Sequence, residues 1–257
     1  MDAVENHIIA WLTDYCRISR QAGFIVGISG GVDSAVTSWL CAKTGLKTIL
    51  LGMPLHQQHD QLVRARDHIK ALTHTFPNVE CLELDLTSAF ESFRASMPEA
   101  TATHLLSMAN TRSRLRMTTL YAVGQANGCL VVGTGNKVED FGVGFYTKYG
   151  DGGVDISPIA DLTKTEVWAL AKHVGVSLEI ISAKPTDGLW GEDRTDEQQL
   201  GATYPELEWA MDYSGDESIL NEREQEVLTI YRRFNALNRH KMQPIPVCKI
   251  PQEIRNQ

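Results

Sequence analysis

The sequence predicts an α/β fold in which a parallel sheet carries helices on both faces and is followed by a helical C-terminal tail. Three observations lead there. Short apolar runs of strand length alternate with stretches of helical period from residue 3 to about residue 173. Two of those runs stop abruptly in glycine turns, Ser29-Gly30-Gly31 and Gly133-Thr134-Gly135. After Ser182 only helical patterns return, at about 205–213 and 222–238. Strands separated by helices are joined by crossovers rather than hairpins, which makes the sheet parallel.

Each element follows from its own pattern. Residues 3–21 repeat Val4, Ile8, Trp11, Leu12 and Tyr15 at helical spacing, an opening amphipathic helix. FIVGI (24–28) has buried-strand character, and the next helix is expected from Ala35 to Cys41, with Asp33 or Ser34 as its cap. TILLGMPL (48–55) repeats the strand type, Gln58 to Leu72 reads as helix, NVECLELDL (78–86) as a third strand and Thr87 to Ser96 as a helix. Residues 102–127 hold strong helix formers and no proline. CLVVGTGN (129–136) supplies a fourth strand, and Val154 to Ile156 a short fifth before Pro158. Thr163 and Glu166 stand at capping-box spacing ahead of a helix ending near His173. Prolines in NRHKMQPIPVCKIP deny a regular helix at the end. No linker signal divides residues 1–257, so one domain is expected.

Composition narrows the function. With 43% hydrophobic and 22% charged residues, 257 residues can bury a full core. A net charge of -8 argues against a nonspecific nucleic-acid binder, which needs a basic surface to displace counterions. No apolar run is long enough to cross a bilayer, and MDAVENHIIAWL lacks the basic start of a signal peptide, so a cytoplasmic protein with no membrane partner is expected. The five cysteines are scattered and never spaced C-x-x-C, which leaves them as buried hydrophobes.

The turn in FIVGISGGVDSA (24–35) admits two chemistries. Gly27-Ile28-Ser29-Gly30-Gly31 matches the G-x-S-x-G nucleophile elbow, which would make Ser29 a hydrolase nucleophile, but it follows the first strand of the sheet, an awkward place for that motif. A Walker A loop is excluded because no Lys follows the glycines. The alternative is a phosphate cradle at a helix N-terminus, with backbone N–H groups closing on an anion. The S-G-G-x-D-S pattern resembles the PP-loop of ATP pyrophosphatases, which cleave ATP between its α- and β-phosphates to adenylate a substrate.

The second turn narrows the resemblance. VVGTGNKVEDFGVGFYTKYGDGGVDISPIADLTKTE (131–166) is similar to the core signature of NAD synthetases, and the likeness continues through KPTDGLW, the D-E-x-x-L-G of Asp196 to Gly201 and RHK at 239–241. The resemblance implies an adenine nucleotide alpha hydrolase-like, Rossmann-type fold. It implies a ligase that activates the nicotinate carboxylate of deamido-NAD with ATP and Mg2+ and amidates it with ammonia. Gly27, Ile28, Ser29, Gly30, Gly31, Val32, Asp33 and Ser34, with Thr134, Lys164 and Thr186, would bind ATP. Asp33 and Glu139 would hold Mg2+. Arg114, Lys148, Asp155, His240 and Lys241 would hold deamido-NAD. Asp33, Lys164 and Asp151 would serve catalysis, Asp151 by positioning or deprotonating ammonia. A homodimer is also implied, with the helix around 102–127 and the tail at its interface.

Taken without the resemblance, the Arg112, Arg114 and Arg116 row reads as a solvated helix face, and Glu139 and Asp140 as a turn or helix cap. Val32 stands where many relatives carry Gln, and Gly135-Asn136 where some bacterial forms carry Asp-His; neither change touches an expected charge-bearing role. A glutaminase domain does not fit beside the core in 257 residues, so free ammonia is the expected nitrogen source unless a separate chain delivers it. The polar stretch from Ala183 to Gly201, with Thr186 and Trp190 for contacts, is expected to order as a lid over the activated intermediate. The alternatives are another PP-loop ATP pyrophosphatase acting on a different substrate, a serine hydrolase using Ser29, and a catalytically silent nucleotide-binding module.

Overall fold

A computed structural model describes residues 1–186 and 195–255. Helix α1 (Asp2–Ile18) leads into β1 (Gly23–Gly27), α2 (Val32–Lys43), β2 (Lys47–Gly52), α3 (His59–Thr75) and β3 (Val79–Glu83). Helices α4 (Thr87–Ala95), α5 (Glu99–Ala102) and α6 (Leu105–Ala126) precede β4 (Cys129–Val132). A π-helical turn (Val138–Val143) follows, then α7 (Lys164–Val174), α8 (Leu178–Ile181), α9 (Asp196–Leu200), α10 (Tyr204–Asp212), α11 (Glu222–Met242) and α12 (Gln252–Arg255).

The strands lie in the order β3-β2-β1-β4, all parallel, with Ile25 of β1 opposite Ile49 on one side and Val131 on the other. Alternation of side chains along a strand divides the core into two layers. Phe24, Val26, Leu50, Leu130 and Val132 face Leu12 of α1, Val36 and Leu40 of α2 and Val167 and Leu170 of α7. Ile25, Ile49, Leu51 and Val131 face Leu120, Tyr121 and Val123 of α6. Helix α6 comes close because Gly124 has no side chain; a Cβ there would sit 2.9 Å from Ile25 Cγ2. The helical tail has a core of its own, in which Tyr204 and Leu207 of α10 and Val227 and Leu228 of α11 close on Val138 and Val143 of the π turn.

The strand order reverses at β1, whose neighbours are β2 on one side and β4 on the other. The chain crosses from β1 to β2 on one side and returns from β3 to β4 on the other, so a crevice opens beyond the carboxyl ends of β1 and β4. Both glycine turns fall there.

Three local expectations are corrected. Helix α2 starts at Val32 with Gly31 as its N-cap residue, so neither Asp33 nor Ser34 is the cap. The Ser34 hydroxyl instead donates back to Gly31 O at 2.9 Å, and Asp33 turns into the crevice toward Lys164. Residues 154–156 make only a single parallel bridge, Val132 to Ile156, in place of a fifth strand. There the Asp155 carboxylate takes the Val131 N–H at 2.8 Å, which ends the ladder. The run at 48–55 leaves the sheet after Gly52, so Met53 and Leu55 turn beneath α6 rather than extend β2. Among the described residues, no helix is long and apolar enough to cross a membrane.

Candidate active site

The two glycine turns open into one cleft of about 740 Å3. The first turn is shaped by its glycines and hydroxyls. Gly30 has φ +84°, and a Cβ there would lie 2.5 Å from Gln61 O of α3, so only glycine lets α3 back the turn this closely. Ser34 Oγ accepts the Ser29 N–H at 3.3 Å, and Ser29 Oγ lies 3.1 Å from Ser34 Oγ while accepting the Gly31 N–H at 3.2 Å. This hydroxyl pair holds the loop over the N-terminus of α2, where backbone amides and the helix dipole favour an anion. Among the described residues no imidazole is bonded to Ser29 Oγ, so the hydrolase alternative lacks its general base.

The second turn supplies the opposing carboxylate. Asn136 is fully buried; its Nδ2 donates to Asp33 Oδ1 at 3.1 Å and its Oδ1 accepts the Val138 and Glu139 N–H groups, each at 3.1 Å. One amide side chain thereby fixes both turns to each other. Lys164 is the first residue of α7, whose start is set by the Thr163 and Glu166 capping box. Its Nζ lies 2.6 Å from Asp33 Oδ2 and 3.0 Å from Glu139 Oε1, with the Lys164 side chain only 3% exposed. Tyr204 donates to Glu139 Oε1 at 2.5 Å and sets its ring 4.8 Å from the ammonium.

Burial pushes the Asp33 carboxyl upward more strongly than Lys164 draws it down. At Glu139 burial is outweighed by Lys164 and the Tyr204 hydroxyl, and its pKa falls below the usual range. Burial disfavours charge on Lys164, but the two carboxylates prevail and raise its pKa. Beside them Asp140, which also lines the cleft, is pushed up to about 8 by burial and by the charges of Glu139, Asp151 and Asp33.

Asp33 and Glu139 each keep 16% of their side-chain surface open. Two carboxylates beside a glycine turn at a helix N-terminus suit a hard divalent cation such as Mg2+. Among the described residues no group of three or more His, Cys, Asp and Glu is arranged to hold a metal, so such an ion would complete its shell with water or phosphate oxygens.

The other end of the cleft is cationic. Asp151 Oδ1 accepts from Ser113 Oγ at 2.7 Å and from the Thr147 N–H at 3.0 Å, and Asp151 N–H donates back to Ser113 Oγ at 2.8 Å, tying the YGDGG turn to α6. Desolvation by the surrounding cleft wall raises the Asp151 pKa, although the residue as a whole is exposed to the cleft opening. Lys148 Nζ donates to His240 O at 2.9 Å and Lys241 Nζ to Tyr146 O at 2.8 Å, while Arg114 Nε reaches Lys148 O at 3.3 Å. The two lysine bonds, with Asn238 Nδ2 donating to Val143 O at 2.8 Å, seat the end of α11 on residues 143–148. Among the described residues, Arg114, Lys148 and Lys241 have no carboxylate partner and spend their donors on carbonyls.

The cleft brings together every expected site residue except Asp155. Residues 27–34, Thr134, Glu139, Asp151, Lys164, Thr186, Arg114, Lys148, His240 and Lys241 all line it. Asp155 lies off it, with its two oxygens taken by the Tyr121 hydroxyl and the Val131 N–H. Residues 187–194 of the expected lid lie outside the described residues.

Residues 4–244 match the family model described as NAD synthase. The chain belongs to the NAD synthase family. It is 35% identical to an NH(3)-dependent NAD(+) synthetase of Methanosarcina acetivorans over 97% of this chain and 98% of that one. Among solved structures it is similar to an NMN synthetase from Francisella tularensis, with 32% identity, 98% of each chain covered and a TM-score of 0.85. An NAD+ synthetase from Burkholderia pseudomallei follows the fold at a TM-score of 0.70 and 26% identity, covering 93% of this chain and 89% of that one.

Within this NAD synthase fold, three groups at the site are not singled out by the sequence patterns. Asn136 reads as neutral, yet it joins Asp33 to the Glu139 turn; its signal is an amide between a glycine turn and a carboxylate. Tyr204 carries no local motif, because its partner Glu139 lies 65 positions away. Arg116 belongs to the row read as solvated, but it is half-buried at the cleft wall. Lys164→Met is expected to lower stability by about 3–5 kcal/mol, since it leaves two crowded carboxylates without their cation. A urea midpoint shift at unchanged slope checks this; an unshifted midpoint would mean the triad does not hold the fold.

Proposed function

We propose that this chain makes NAD by activating the nicotinate carboxylate of deamido-NAD with ATP and letting ammonia displace AMP. The supporting observation is that the glycine turn with its paired carboxylates shares one cleft with a group of cations that have no carboxylate partner among the described residues. The substrate carboxylate oxygen attacks the α-phosphorus and the bond to pyrophosphate breaks. Ammonia then attacks the acyl carbon, the bond to AMP breaks, and the nitrogen gives up a proton.

Each group has a part in this reading. The Gly30 and Gly31 amides with Ser29 and Ser34 hold phosphate oxygens. Mg2+, held by Asp33 and Glu139, would offset phosphate charge when bound. Lys164 stabilises charge that grows on the phosphates, from a position fixed before substrate arrives. Thr134 and Thr186 contact ATP. Arg114, Lys148, His240 and Lys241 hold the anionic acid substrate, and Asp151 positions or deprotonates ammonia. Asp155, exposed and next to the cleft-lining Val154, would join them in holding deamido-NAD.

The likeness to an NMN synthetase over 98% of each chain favours a second reading, in which the acid is nicotinate mononucleotide and the same steps give the mononucleotide amide. Incubation with ATP, Mg2+, ammonium and either acid, with products identified by mass, separates the two. A higher kcat/KM for the dinucleotide supports the first reading, and the reverse order the second. ADP in place of AMP, or AMP formed without either acid, rejects both.

Asp33→Asn and Glu139→Gln should each abolish AMP formation while the circular dichroism of the fold persists. Normal AMP production by either variant would remove the metal assignment. The same reading makes residues 1–257 one domain working in the cytoplasm as a homodimer, which cell fractionation and sedimentation can check. Leu105, Leu106, Ile245, Val247 and Ile250 are each more than half exposed on the long helix and the tail, the regions assigned to the interface. A monomer at assay concentrations would exclude the dimer.

A further inference from the structure

Helix α6 turns a second arginine toward the cleft one turn before Leu120. Leu120 itself packs beside Gly27, since a Cβ on Gly27 would lie 3.5 Å from Leu120 Cδ1 and 3.2 Å from Met53 Cε. Arg116 lines the same cleft as Gly27, bonds the carbonyl of Met53, whose side chain packs against Gly27, and is near enough to Asp151 to feel its charge. Its Nε reaches Met53 O at 3.3 Å and its Nη2 reaches Leu55 O at 3.4 Å, both long for hydrogen bonds from a cation. Among the described residues no carboxylate lies within ion-pair distance of it.

A half-buried guanidinium that has, among the described residues, two long carbonyl bonds is poorly compensated. Its surroundings make this worse. Burial and the neighbouring Arg112 hold its pKa down to about 10, with Asp151 the opposing influence. Asp151 Oδ1 is already engaged by Ser113 and Thr147. Pinning two carbonyls after β2 does not require a cation, as a neutral amide would serve. A charged, planar, fork-shaped donor at a cleft wall suits an anionic oxygen that arrives from solution.

We propose that Arg116 binds an anionic oxygen at the point where the nucleotide held by the glycine turn meets the acid substrate. This rests on the synthetase reading. The oxygen belongs to a carboxylate or a phosphoryl group, and its source is either the acid substrate or ATP.

Arg116→Met and Arg116→Lys separate the sources by calorimetric binding of α,β-methylene-ATP with Mg2+ and, independently, of deamido-NAD and nicotinate mononucleotide. Arg116→Met should weaken binding of the ATP analogue or of the acids by about ten- to a hundredfold, and whichever arm moves names the source. Arg116→Lys keeps the charge without the fork and should fall between Arg116→Met and the parent. In Arg116→Ala, added guanidinium chloride at low concentration should recover part of the lost binding, a result that a purely structural role would not give. Unchanged binding of all ligands by Arg116→Met overturns the proposal while leaving the synthetase reading intact. Loss of unfolding midpoint in both Arg116→Met and Arg116→Lys, with no guanidinium recovery, also overturns it. If the parent protein binds neither the ATP analogue nor either acid, the synthetase reading fails and this proposal with it.

Discussion

The ion triad of Lys164 with Asp33 and Glu139 is the constraint on which the rest of the molecule depends. The three residues come from three separate segments, the first turn of α2, the π turn after β4 and the first turn of α7. Two carboxylates set this close would repel each other and the phosphates of any nucleotide. A single buried ammonium at 2.6 and 3.0 Å relieves the repulsion. Its geometry is held from behind by Asn136 and Tyr204, both fully buried.

This accounts for the C-terminal helices as well. Tyr204 begins α10, and α10 with α11 closes the core that includes Val138 and Val143 of the π turn. A helical segment with no strands thus serves the sheet by fixing the carboxylate that the sheet alone would leave on a loose turn. The π geometry at Val138–Val143 widens the turn, so that Val138 and Val143 face the tail while Glu139 faces the cleft.

The two ends of the cleft handle charge in opposite ways. Near the glycine turn, carboxylates are matched by a cation of the protein. Along α6 and the end of α11, Arg114, Arg116, Lys148 and Lys241 bond backbone carbonyls and, among the described residues, no carboxylate. Helix α6 links them, since Gly124 lets it lie against β1 and the same helix carries Ser113, Arg114 and Arg116 into the cleft.

The sequence by itself determined whatever depends on neighbours in the chain. The alternation of strand runs and helices, both glycine turns, the capping box at Thr163 and the family signature were legible because backbone conformation and hydrogen-bond spacing are local. The helical start at Val32 was misread for a local reason, as Ser34 bonds back to Gly31 rather than capping. Only the tertiary structure decided which charges are compensated and which remain open. Asp155, charged and inside the signature, stands just outside the cleft lining, with its carboxylate bonded to Tyr121 and to the end of β4. Arg116, placed in a row that read as solvated, faces the cleft. Asn136, Tyr204 and Lys164 converge on the same two carboxylates from positions up to 131 residues apart. Electrostatic energy depends on distance through space and on exclusion of water, and neither is encoded in the spacing of residues along the chain.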